Sequence, residues 1–150
     1  MLKKILITGA RAPVALHFAR LLSATGHRVV LADSQRFPIA RATKFKCSYI
    51  QLPNPTDDFY NYASAVEDLV KRENITYVLP TCEEIFYLAA IRDYLSVDLP
   101  LWAPSFSKLA AVHNKYSFAV STKGHVGQAP ESTLLRSEQD VKNVSSEAGN

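Results

Sequence analysis

The chain has 150 residues, of which 47% are hydrophobic and 21% charged, with a formal net charge of +3. That length buries roughly 70% of the surface an unfolded chain exposes, enough for one real core, and the composition argues against wholesale disorder. Acids and bases are interspersed, so no general basic field for nucleic acid is present; Lys3, Lys4, Arg41, Lys44 and Lys46 read as a solvated face. No segment approaches the ~20 apolar residues needed to span a bilayer. The apolar run after Lys3 and Lys4 is broken at Thr8-Gly9 and ended by Arg11, unlike a signal peptide. Cys47 and Cys82 lie far apart, and neither they nor His17, His27, His113 and His125 match a metal-ligand spacing. A reduced, cytoplasmic, metal-free domain is expected.

In chain order, Lys4 to Thr8 reads as a first strand. From Val14 to Ala24 the residues Val14, Phe18, Leu21 and Leu22 fall on one helical stripe, with His17 and Arg20 facing away, and Gly26 stops the helix. Arg28 to Ala32 is a second strand that closes on Asp33-Ser34. An irregular basic segment, Gln35 to Cys47, leads into a third strand, Tyr49 to Leu52. Thr56 is the expected N-cap of the next helix, with Asp57 and Asp58 favouring the positive end of its dipole. Phe59, Ala63, Val66, Leu69 and Val70 form its apolar face, and Lys71 and Arg72 sit in its last turn.

Ile75 to Leu79 is the fourth strand. Thr81-Cys82-Glu83-Glu84 reads as a capping box, with Thr81 as cap and Glu84 reaching back. The helix from Glu83 to about Leu95 is apolar enough to pack on more than one neighbour. Leu99 to Ala103 makes a fifth short strand, Ser105 caps a brief helix through Val112, and another helix starts near Asn114 and ends by Gly124 and Gly127. Beyond Leu135 the chain turns polar, with Val141 and Val144 marking a short helix before a frayed tail. Strands alternating with helices predict an α/β fold: a Rossmann-like, doubly wound parallel sheet of about five strands, followed by short helices and a polar tail.

The turn after the first strand, Thr8-Gly9-Ala10-Arg11-Ala12-Pro13, stands at the edge where such sheets bind ligands. A dinucleotide fingerprint places two further glycines after Gly9, whereas here Ala12, Pro13 and Ala15 follow. Only Gly9 offers bare backbone, which argues against an ordinary NAD site.

Four stretches stand out: Ile5 to Pro13; Val78-Leu79-Pro80-Thr81-Cys82-Glu83-Glu84; Ala103-Pro104-Ser105; and His113-Asn114-Lys115-Tyr116-Ser117-Phe118. Their order resembles the N-terminal lobe of the ATP-grasp ligases, the biotin-carboxylase-like, pre-ATP-grasp domain. Gly127-Gln128-Ala129-Pro130-Glu131-Ser132 is similar to the step that leads into the ATP-binding domain. The resemblance covers the chain to about Leu135.

The resemblance implies a pre-ATP-grasp domain over 1–128, with 129–150 as the start of the ATP-grasp domain or a linker. It implies that Lys115 contacts nucleotide phosphates, and that Glu83 or Glu84 holds the amine or the phosphorylated substrate. Gly9, Arg11 and Ala12 complete the expected substrate wall, with Arg11 suited to a carboxylate or phosphate, or simply a surface residue. Asp33 is either the ribose acid of a dinucleotide enzyme or the cap of its local turn.

ATP and magnesium are the cofactors implied for the whole enzyme, neither bound tightly by this lobe, which is expected to be an excised piece without turnover. The implied partners are the ATP-grasp domain and a small carboxylate or amine, with a homodimer possible and neither nucleic acid nor membrane. Two other readings stay open: an NAD(P)-linked reductase, against which the missing glycines count, and a non-catalytic binding module on the same scaffold.

Overall fold

The computed structural model describes residues 1–147; positions 148–150 of the expected polar tail lie outside the described residues. The chain forms two compact units, Met1–Phe106 and Ser107–Asn150.

The first unit is built on β1 (Lys4–Thr8), β2 (Arg28–Asp33), β3 (Ser48–Gln51) and β4 (Tyr77–Leu79), in the spatial order β3-β2-β1-β4. All pairings are parallel: Ile5 lies opposite Val29 on one side and Tyr77 on the other. The order reverses between β1 and β4, which makes a topological switch point at their carboxyl ends. Helices cover both faces, and that is why β1 is an unbroken apolar run, buried from Ile5 to Thr8. On one face Ile5, Ile7, Val29 and Leu31 pack with Ala15 and Ala19 of α1 (Pro13–Ala24) and with Ala40 of a 3₁₀ turn. On the other, Leu6, Val30, Ala32 and Val78 pack with α2 (Phe59–Arg72) and α3 (Glu84–Tyr94). The doubly wound α/β expectation is met.

Four details of the expectation change. The fifth strand shrinks to one parallel bridge, Val78 to Leu101, flanked by bonds from Val78 N to Pro100 O (2.9 Å) and from Trp102 N to Val78 O (2.9 Å). Pro100 has no N–H to extend the ladder, and β4 offers only three residues to pair with. The buried stripe of α1 is Ala15 and Ala19, flanked by half-buried Leu16, Phe18 and Leu22, while Val14 and Leu21 are exposed. Small side chains let the helix lie close to the sheet, so the largest apolar residues fall to the margins. The cap of α2 is Asp58, not Thr56: its carboxylate accepts from Asn61 N at 3.0 Å. Asn54 to Asp57 form their own turn, in which the Thr56 hydroxyl donates to Asp57. Finally, the capping box before α3 is only half made, for reasons that belong to the site below.

The segment after Leu101 is pinned from α3. Arg92 donates to the carbonyls of Ala103 (2.9 Å) and Pro104 (2.8 Å), and Asp93 accepts from Phe106 N at 2.7 Å. The second unit contains most of α4 (Phe106–His113), then α5 (Lys115–Ser121) and α6 (Glu138–Glu147). Asn114 caps α5 by accepting from Ser117 N at 2.9 Å, and α6 contains both Val141 and Val144, as the periodicity indicates. No residue of α4 or α5 is buried.

Candidate functional site

At the carboxyl end of β1 the chain turns through Gly9 with φ +68°, a conformation that favours glycine. The turn is closed by Ala12 N donating to Gly9 O at 2.9 Å, and Pro13 then opens α1 with its φ preset for the helix. Gly9 is required for a second reason. A Cβ there would lie 2.5 Å from Glu84 Oε1 and 2.7 Å from Thr81 Oγ1. The bare backbone of the turn is therefore covered by the protein's own side chains.

Glu84, at the first turn of α3, is buried. Its Oε1 accepts from Thr8 Oγ1 (3.0 Å), Thr81 N (3.1 Å) and Cys82 N (3.2 Å). The reach back to Thr81 N is the expected half of the capping box. The other half is missing: the N-cap of α3 is Glu83, with no side-chain cap bond, and the Thr81 hydroxyl donates across the sheet, to the carbonyls of Thr8 (2.7 Å) and Gly9 (3.0 Å). Thr81 and Glu84 thus tie the end of β4 and the start of α3 to the end of β1.

Arg11 leaves the same turn and meets three carboxylates. Its Nη1 lies 3.0 Å from Asp33 Oδ1, and its Nη2 lies 3.3 Å from Glu84 Oε2 and 4.0 Å from Glu83 Oε2. Asp33 also accepts from Arg11 N (2.8 Å) and Gln35 N (3.1 Å), and its side chain is 0% exposed. Asp33 thus caps its local turn and holds Arg11. Burial works against the Arg11 charge, but Asp33 and then Glu84 outweigh it, so its pKa is raised. Arg11 is ion-paired within the fold, to Asp33 and to Glu84, and a third of its side chain remains exposed, at 32%.

These groups border a cleft of about 210 Å³, with Gly9, Arg11, Asp33, Glu83, Glu84 and Tyr62 in its lining. Ligand pockets commonly run ~300–1,000 Å³, so this cleft is smaller than most. Tyr62 comes from α2 and its residue is 3% exposed. Among the described residues no buried side-chain polar atom lacks a hydrogen-bond partner, and Tyr62 lines the cleft. Burial first, then the Glu84 and Asp33 charges, push its pKa up, keeping the phenol neutral. Burial and Glu84 likewise push the Cys82 thiol up.

Of the residues read from the sequence, Gly9, Arg11, Glu83 and Glu84 gather here from two separate segments. Ala12 shapes the turn without lining the cleft, and Lys115 belongs to the second unit, exposed at the first residue of α5. Sequence reasoning missed Tyr62 as a site residue, since at helical spacing it looks like one more core position, and it missed Thr81 as a tie between strands. No group of three or more potential metal ligands occurs among the described residues, and no helix among them is long and apolar enough to cross a membrane.

No family profile matches the sequence, and no curated protein matches it. Solved structures do. The biotin carboxylase domain of Hydrogenobacter thermophilus 2-oxoglutarate carboxylase, solved with MgADP, ADP and bicarbonate, matches 100% of the chain at TM-score 0.64 and 18% identity. L-amino acid ligase from Bacillus licheniformis matches 98% at TM-score 0.63 and 11% identity. The NAD-bound enzyme WbmG of Bordetella bronchiseptica matches 65% of the chain at TM-score 0.48 and 16% identity. The chain spans 34%, 42% and 36% of those structures respectively. At these identities the likeness defines the fold alone: a Rossmann-like α/β domain.

Proposed function

We propose that this chain is the front lobe of an ATP-dependent ligase of the ATP-grasp family, forming part of its substrate wall and making one phosphate contact. The observation that carries the reading is the extent of the match: two ATP-grasp structures align with 98–100% of the chain. The order of the four sequence stretches supports it independently. In such an enzyme ATP phosphorylates a carboxylate, and an amine or other nucleophile attacks the acyl phosphate. The ATP-grasp half supplies the acids that hold magnesium, so the lobe by itself has no turnover. Lys115 is the residue of this chain that would meet the nucleotide, as an exposed cation at the start of α5. Exposed Tyr116, Phe118 and Val120 in the same helix suit packing against a following domain.

An NAD(P)-linked reductase fits the residues less well. The two further glycines of a dinucleotide fingerprint are absent after Gly9, and Asp33, where a ribose acid would stand, is already paired with Arg11.

The test is an amide NMR titration of the chain with ATP–Mg. Millimolar ATP–Mg is expected to move the Lys115 amide and its neighbours, and Lys115→Ala to abolish the shifts. An unchanged Lys115 region at saturating ATP–Mg would refute the phosphate contact.

A further inference from the structure

We infer that the connection between β2 and β3 docks the chain on an anionic lipid surface, with Phe37 entering the headgroup boundary and Arg36 and Arg41 meeting the lipid phosphates. The inference goes beyond the ligase reading and does not depend on it.

The first support is charge. Residues 34–56 include Arg36, Arg41, Lys44 and Lys46 and no acid. All four cations are exposed, and among the described residues none of them is ion-paired with a carboxylate, in contrast to Lys4 with Glu73, Lys71 with Glu67 and Arg92 with Asp93. Arg36 and Arg41 are drawn instead to one ring. Their guanidinium carbons lie 5.2 and 5.4 Å from the Phe37 centroid, and Arg41 also lies 5.4 Å from that of Tyr49. Arg41 Nη1 donates to the Arg36 carbonyl at 3.1 Å, which holds the pair together. Like charges gathered without a carboxylate make a positive spot that attracts anions.

The second support is the apolar surface set among those charges. A merely solvated basic face, the expectation from sequence, needs no such surface. Yet Phe37 is 73% exposed and Ile39 47%, and Phe45, 41% exposed, stands between Lys44 and Lys46. The fold fixes Phe37 and Ile39 in place. Pro38 and Ala40 are buried, and Ala40 N donates to the Ala10 carbonyl at 3.0 Å, so the 3₁₀ turn Ile39–Ala42 is fastened to the core. The Tyr49 hydroxyl donates to the carbonyls of Asp33 and Gln35, fastening the start of the connection as well. With three residues per turn, burying Ala40 leaves Ile39 and Arg41 facing outward. Rings that bury at the acyl boundary while neighbouring cations reach the headgroups are how interfacial anchors work.

A nucleic acid would also meet the cations, but base stacking needs a bare ring face. Here guanidinium groups already lie over Phe37 and Tyr49, and exposed Ile39 has no ring to offer. Lipid uses all of these groups.

The test is co-sedimentation of the chain with phosphatidylcholine vesicles, with and without about 30% phosphatidylserine. Binding is expected only with phosphatidylserine, and is expected to fade as salt rises from about 0.05 to about 0.5 M. Arg36→Gln and Arg41→Gln should each weaken it about fivefold. Phe37→Ser should weaken it about tenfold, through loss of the buried ring. All three positions are exposed, and the amide NMR spectrum of each variant checks that the fold is kept. Insertion is read from Phe37→Trp in a Trp102→Phe chain, which removes the native tryptophan; its emission should move to the blue on phosphatidylserine vesicles. Sedimentation that ignores phosphatidylserine, binding untouched by the three substitutions, or an unshifted emission would overturn the inference. So would single-stranded RNA or polyglutamate that binds these residues more tightly than the vesicles do, since the patch would then belong to another class of partner.

Discussion

Gly9→Ala is the perturbation that reports most fully on how the carboxyl edge is built. Two costs add. Alanine at φ +68° is strained by about 1 kcal/mol. The new methyl would then sit 2.5 Å from Glu84 Oε1 and 2.7 Å from Thr81 Oγ1, so the carboxylate has to move. That loosens the bonds it accepts from Thr8, Thr81 and Cys82; losing the equivalent of two, at about 1 kcal/mol each, brings the sum to about 3 kcal/mol. Gly26 provides the control. It has φ +86°, but its Cβ would meet only the flexible end of Leu2, at 3.2 Å, so Gly26→Ala should cost only the strain of about 1 kcal/mol. Urea unfolding followed through the β1 amide signals measures both. With a slope of about 2 kcal/mol per M, the midpoint should fall by about 1.5 M for Gly9→Ala and about 0.5 M for Gly26→Ala. Equal costs for the two glycines would refute the claim that Glu84 and Thr81 occupy the turn. In the Glu84→Ala background the extra cost of Gly9→Ala should shrink, since the two changes share one contact.

Asp58→Ala should cost about 1 kcal/mol in the same urea assay, and Thr56→Ala should change little, because Asp58 alone caps α2. Tyr62 gives the pH dependence: burial, then Glu84 and Asp33, raise its pKa above the ordinary 10.0, so the folded state favours the neutral phenol. That contribution to stability is complete below about pH 10 and is lost as pH rises beyond it; alkaline unfolding curves should show a shallower loss for Tyr62→Phe. The raised Cys82 pKa has the same sign, and in Cys47→Ser protein its alkylation at pH 9 should be slower in the folded state than in urea. Phosphate release from ATP–Mg with a panel of carboxylic acids should not exceed background for this chain, and turnover that copurifies with it would contradict the lobe assignment.

How much the sequence disclosed follows from how local each signal is. β1, β2 and α2 were legible because continuous apolar runs and three-and-four spacing report burial directly. Arg11 and Glu84 were placed at the right edge because turns after parallel strands share one end of the sheet. The α1 stripe misled because apolar size was used as a guide to burial, whereas close helix packing selected Ala15 and Ala19. The cap of α2 slipped by two residues because Thr56 and Asp58 are both good caps, and only the Asn54–Asp57 turn decides between them. The fifth strand depended on long-range pairing that Pro100 interrupts. The use of the Thr81 hydroxyl across the sheet, and of the Asp33 carboxylate against Arg11, joins residues 73 and 22 positions apart, beyond any local pattern.

On the proposed ligase reading, the turn at Gly9 does not take a dinucleotide. Titration of the chain with NADH, followed by the cofactor's fluorescence, tests it most directly. The account expects no saturable binding tighter than about 1 mM, an affinity worth only ~4 kcal/mol. Saturable binding in the micromolar range, weakened by substitution of Gly9 or Asp33, would contradict it.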